Sequence, residues 1–152
     1  MSRLHVSKSK WQKQIYTPHN VSKYKGKTPP ITRSRWEYRF CRFLDFNENV
    51  IEWLSEEPKI PYLNPNTNTV WNYHPDFVIR VKTQGGIVTQ MIEIKPKKQT
   101  VPPIVSKGKH QKTILYEACT WRQNCAKWTA AKAYCASHGW EFKILTEENL
   151  FG

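Results

Sequence analysis

Acidic residues are what this chain has least of. Its 152 residues include 12 Asp and Glu against 24 Lys and Arg, a formal net charge of +12. The deficit is uneven. No acid precedes Glu37, whereas nine Lys or Arg do, and none lies between Glu93 and Glu117, where Lys95, Lys97, Lys98, Lys107, Lys109 and Lys112 stand. Two such blocks point to a polyanionic partner rather than to a surface that is merely solvated. No apolar run approaches the ~18 residues of a membrane-spanning helix, and neither basic block has a continuous apolar face. The polar N-terminus lacks the hydrophobic centre of a secretory signal, so no membrane association is expected. The cysteines Cys41, Cys119, Cys125 and Cys135 show no Cys-x-x-Cys pair, and with five scattered histidines they do not make a zinc pattern. They read as reduced thiols used for packing. Seven Trp, seven Tyr and six Phe supply much of the apolar volume, enough for one domain of modest core.

Residues 1–30 are basic and punctuated by Pro18, Gly26, Pro29 and Pro30, with Trp11, Ile15, Tyr16 and Tyr24 interspersed. They read as an extended arm that borrows order from its own domain, from nucleic acid or from a protein partner. The remainder, 31–152, reads as a single domain. Ser34 followed three residues later by Glu37 is a capping box, and Trp36, Phe40, Phe43 and Leu44 form one stripe, which predicts a helix over 33–46. Short strands are expected over 50–54 and 59–63, then a turn at Asn64-Pro65-Asn66-Thr67-Asn68. Strands over 73–81 and 91–96 follow, joined through Gly85-Gly86. The Pro- and Lys-rich 96–110 is expected to be a mobile loop. A helix starting near Gln111 is expected to break around Thr120, and a clearer one to run over 122–137 with Gly139 as its cap. A strand over 140–145 and a short turn end the chain. Helix, three or four strands, helix, strand suits an α/β domain with helices flanking a mixed sheet.

The chemistry gathers in two of these strands. Asp76 follows Pro75 at the head of the first, and Glu93 and Lys95 lie seventeen and nineteen residues on, in the second. Side chains alternate along a strand, so Glu93 and Lys95 share one face while Ile92 and Ile94 take the other. A hairpin would bring Asp76 beside them. Two carboxylates and an ammonium on one patch suit a hard divalent cation and phosphodiester hydrolysis. The alternative is an edge hairpin with solvated charges. Glu37 borders the apolar stripe of its helix, where it can serve as cap, ion-pair member or ligand.

Pro-Asp followed by Glu-x-Lys resembles the signature of the PD-(D/E)xK nucleases, and the expected element order resembles their αβββαβ core. Ser34-Arg35-Trp36-Glu37, Glu52-Trp53, Ser55-Glu56, Ile60-Pro61-Tyr62, His74-Pro75-Asp76-Phe77 and Ile92-Glu93-Ile94-Lys95-Pro96-Lys97-Lys98-Gln99 extend the likeness. In that order they are similar to the head completion nucleases of T-even-like tailed phages and to the wider group of transposon end-cleaving nucleases. The resemblance implies an enzyme that cuts double-stranded DNA, acting on packaged DNA so that head and tail can join, with phage head or neck proteins as partners. It places the protein in the host cytoplasm during assembly or in the virion. It implies Glu37, Asp76, Glu93 and Lys95 as catalytic residues and Mg2+, or Mn2+ in its place, held by Asp76, Glu93 and the carbonyl of Ile94. Lys97, Lys98, Lys107, Lys109, Arg33 and Arg35 are the expected DNA contacts. Gln111, Asn124 and Lys127 are further candidates to reach the backbone. Two other functions remain open at this point: a DNA-binding neck protein with little catalysis, and a transposition or recombination nuclease.

Overall fold

The computed structural model describes residues 11–151. Their elements run β1 (Gln14–Ile15), β2 (Ile31–Thr32), α1 (Arg35–Phe46), β3 (Val50–Ser55), β4 (Ile60–Asn64), β5 (Thr69–Tyr73), β6 (Phe77–Thr83), β7 (Gly86–Ile94), α2 (Gln111–His138), β8 (Glu141–Leu145) and α3 (Glu147–Phe151). The central sheet has the order β3-β6-β7-β8. Its first two pairings are antiparallel and β7 meets β8 in parallel, so the sheet is mixed. With α1 before it and α2 crossing over to β8, this is the αβββαβ order expected from the sequence. The β4–β5 hairpin is inserted between β3 and β6.

Period-2 alternation decides what each face of the sheet packs against. Phe77, Ile79, Ile92 and Ile94 meet Phe40, Cys41 and Leu44 of α1 and Trp53 of β3. Val78 and Met91 meet Ala131 and Cys135 of α2 and Ile60, Tyr62 and Tyr73 of the hairpin. Each helix therefore covers its own face.

Three expectations need correction. The helix expected to break near Thr120 is continuous over Gln111–His138, because that span holds no Gly or Pro to stop it. It ends at Gly139, whose φ of 71° suits the left-handed cap. The strand expected over 73–81 is two: Tyr73 closes β5, and β6 begins only after Pro75, which has no N–H to give a ladder. The strand expected over 91–96 instead spans Gly86–Ile94.

The segment before β2 runs over the body of the domain. Tyr16 is buried within the α1 core, and β1 pairs with β2. The fully buried Asp45, near the end of α1, accepts hydrogen bonds from the Tyr16 hydroxyl at 2.7 Å and from the His19 and Asn20 N–H groups at 2.8 Å each. Lys23 Nζ donates to the carbonyls of Asp45 (3.1 Å) and Asn47 (2.8 Å) at the helix C-terminus, where a cation complements the macrodipole. Residues 1–10 of the expected arm lie outside the described residues. Among the described residues all four cysteines are free thiols and no helix is long and apolar enough to cross a membrane.

Candidate active site

Register brings the signature residues together. Phe77 is the partner of Ile92 across β6 and β7, so the residues just beyond, Asp76 and Glu93, meet at the end of the hairpin. Asp76 Oδ2 accepts the Ile94 N–H at 2.7 Å, so the carboxylate replaces the next rung of the ladder. Glu93 is buried on the α2 face and accepts the hydroxyl of Tyr73 on Oε1. Its other oxygen, Oε2, lies 3.7 Å from Lys95 Nζ. Glu37 comes from the first turn of α1. Its N–H donates to Ser34 Oγ at 3.1 Å while its Oε1 accepts the Arg33 N–H, also at 3.1 Å. The capping box is thus made, with Arg33 in place of the cap residue as the second donor. The same carboxylate feels Glu93 electrostatically, so cap and site residue are one side chain.

All three acids resist ionisation. Burial, then the Glu93 and Glu37 charges, push Asp76 well above the ordinary carboxylate range against the Ile94 N–H and Lys95. Burial raises Glu93 and outweighs Tyr73, Lys95 and Lys127, all of which favour its charge. Burial also raises Glu37, helped by Glu56 and Glu93 and opposed by the Arg33 N–H and Ser34. Burial opposes the charge of all three, like charge adds to it at Asp76 and Glu37, and acids so perturbed cluster at functional sites.

The donor set fits a hard divalent cation. Asp76 and Glu93 each commit one oxygen inside the protein and keep one uncommitted, apart from the loose approach of Lys95 to Glu93. Among the described residues no group of three or more His, Cys, Asp or Glu is arranged to hold a metal. Carbonyl, water and phosphate oxygens must therefore complete any coordination sphere. That is the habit of Mg2+, which retains waters and takes one or two carboxylates plus substrate phosphate. Ile94, expected to add its carbonyl, is the last residue of β7 and is buried.

Two residues at the site carry roles that the sequence alone did not give them. The sequence places Tyr73 in one strand with Asp76 and gives it no role. It offers Lys127 only as a candidate to reach the DNA backbone. Lys127 is half-buried on α2, and burial lowers it while Glu93 and Asp76 favour its charge. Glu56, at a φ of 57°, takes the Arg33 guanidinium in a fork at 2.6 and 3.1 Å and donates its N–H to the Asp76 carbonyl.

The expected DNA contacts divide. Arg33 is bound to Glu56, Lys97 to Glu148 at 2.8 Å, and Lys109 to Glu117 at 2.7 Å. Lys98, Lys107 and Arg35 are exposed and make no ion pair among the described residues. Of the α2 candidates Gln111 is exposed and Asn124 is buried. Trp128 is buried and meets Trp121 edge to face, with centroids 6.0 Å apart.

Comparison with known proteins shows the family. A family profile described as the N-terminal domain of TnsA-like endonucleases matches residues 47–147, which contain Asp76, Glu93 and Lys95 but begin after α1 and Glu37. The chain is also 40% identical over 141 residues to the head completion nuclease of Enterobacteria phage T4, across 89% of this chain and 91% of that protein. A PD-(D/E)xK core that carries its signature residues at the end of one hairpin, with matches of this extent, places the protein in the family of TnsA-like endonucleases, alongside the phage head completion nuclease.

Proposed function

We propose that the protein is a divalent-metal-dependent DNA endonuclease that acts on packaged DNA during phage head completion, leaving an end to which a tail can be joined. The observation that carries the reading is the meeting of Asp76, Glu93 and Lys95 at one end of β6 and β7. A divalent cation held by Asp76 and Glu93 supplies charge neutralisation at phosphate and a water activated for attack. Lys95, on the same sheet face, binds the attacked phosphate or orients the water. Glu37 accepts a hydrogen bond from a water or binds a second cation. Lys98, Lys107 and Arg35 hold the duplex by its phosphates, and head or neck proteins bring it to the DNA. The deciding experiment incubates purified protein with circular and linear duplex DNA, with and without Mg2+. Cleavage only with Mg2+ supports the reading. Binding without cleavage under any divalent cation would favour a neck protein that merely holds DNA, although such a binder has little use for buried acids that repel phosphate.

Lys95→Ala should lower the cleavage rate by about 10²–10³-fold, the usual cost of one charge-stabilising donor. DNA affinity should change by less than about threefold, because one phosphate contact among several is a small share of the binding. Parallel filter-binding and cleavage assays check this. An equal collapse of both would reduce Lys95 to a docking residue.

Binding should be nearly indifferent to sequence and steeply sensitive to salt. Among the described residues no recognition helix or finger offers itself for base edges. Neutralising about five phosphates would make log K fall with log salt at a slope of roughly −4 to −5. Replacing Lys98 and Lys107 with Ala should flatten that slope by about one to two units. Replacing Lys97, already tied to Glu148, should matter less. Tight, salt-independent binding to one sequence would contradict this mode of recognition.

A further inference from the structure

Glu93 is not free to present both of its oxygens. Oε1 is engaged by the Tyr73 hydroxyl, and both side chains are buried, with 3% and 6% exposure. Tyr73 is the last residue of β5 and reaches Glu93 from the inserted hairpin, not from the central sheet. The hairpin is itself fixed. Ile60 pairs with Tyr73 across it, Gln123 of α2 donates to the Tyr62 hydroxyl at 2.8 Å, and Asn66 donates to the Cys119 carbonyl at 2.8 Å. Asp76 is restricted in the same way, since its Oδ2 is held by the Ile94 N–H. Each acid thus has one oxygen without a short hydrogen bond, and on the other a hydrogen bond already takes one lone pair and fixes the carboxylate's direction.

This bears on which cation the site accepts. A small ion such as Mg2+ demands near-octahedral geometry and is served by single oxygens and waters. Ca2+ takes six to eight oxygens, often both from one carboxylate. We propose that Tyr73 is a specificity-determining residue: by occupying Oε1 it limits Glu93 to single-oxygen ligation and so favours Mg2+ over Ca2+. The inference rests on the metal-dependent reading above and adds the reason for a preference. Outer groups that orient a ligating side chain commonly matter by 10–100-fold in metal affinity. A purely structural Tyr73 would change stability and leave the ratio of the two affinities alone.

The test is calorimetric titration of Mg2+ and of Ca2+ into the full-length protein and into Tyr73→Phe, with thermal unfolding as a check on the fold. The ratio of Mg2+ to Ca2+ affinity is expected to fall about tenfold or more in Tyr73→Phe, mainly through tighter Ca2+ binding. An unchanged ratio in a folded variant would overturn the role given to Tyr73 and leave the nuclease reading standing. No saturable binding of either cation by the unaltered protein would overturn the metal reading itself. If Phe at this position prevents folding, site-specific 3-fluorotyrosine keeps the ring and strengthens the donor. It should then widen the preference, and no change in the ratio would count against the proposal.

Discussion

Asp76→Asn and Glu93→Gln are each expected to lower cleavage by at least about 10³-fold, some 4 kcal/mol of transition-state stabilisation at 1.36 kcal/mol per tenfold. Neither should lower the melting temperature of the metal-free protein. The amides keep an oxygen for the Ile94 N–H or the Tyr73 hydroxyl but carry no charge. Mutual repulsion and burial, which now work against these acids, are thereby relieved. Nicking of supercoiled plasmid with Mg2+ reads the first effect and calorimetric unfolding reads the second. Full metal-dependent activity in either variant would remove these residues from the site. An unfolded variant would show that they serve the core instead.

The second large effect lies far from the chemistry. Asp45→Ala should cost about 3–5 kcal/mol. It strands the Tyr16 hydroxyl and two N–H groups that now bind a buried carboxylate, and a hydrogen bond to a charged group is worth about 1.5–3 kcal/mol. In a domain whose total stability is about 5–15 kcal/mol, that is a large share. The melting temperature should fall by roughly 6–20 °C at the 2–4 °C per kcal/mol expected near this size. Thermal unfolding measures it directly. A loss below about 1 kcal/mol would mean that the hydrogen bonds to Asp45 contribute little to the fold.

Asp45 and the site acids respond to pH with opposite signs. Burial alone would raise Asp45, but the N–H groups of His19 and Asn20 and the Tyr16 hydroxyl outweigh it and hold Asp45 below its ordinary value. Its contribution is therefore complete above the unfolded carboxylate value near 4 and is lost as pH falls through its lower folded value. Glu37, Asp76 and Glu93 lie above their unfolded values. Protonating them on the way down from neutrality stabilises the metal-free fold. Its stability should thus rise as pH falls towards the unfolded carboxylate values near 4, and drop again below them as Asp45 protonates.

Some of this was legible in the chain because local patterns carried it. Ser34 and Glu37 announced the start of α1. Alternation along Met91-Ile92-Glu93-Ile94-Lys95 set the acid and the lysine on one face. Other features depended on distance. Strand β5 was missed because it follows the turn at once and runs into His74-Pro75, so Tyr73 was read into the next strand. Nothing near Lys97 in sequence foretold its pairing with Glu148, 51 residues away, nor that Lys127 would arrive beside Glu93 on the far helix. Charges counted along a chain overstate those available to a partner, because tertiary folding supplies some of them with mates.

The hairpin of β6 and β7 carries Asp76 at one end and has its turn at the other, closed by the Thr83 hydroxyl on the Gly86 carbonyl at 2.7 Å. Seven residues of strand separate the two, roughly 20 Å at the usual rise. That turn is exposed and takes no part in either core. It is a natural place to attach a fluorophore or an affinity tag, remote from the acids and outside both cores.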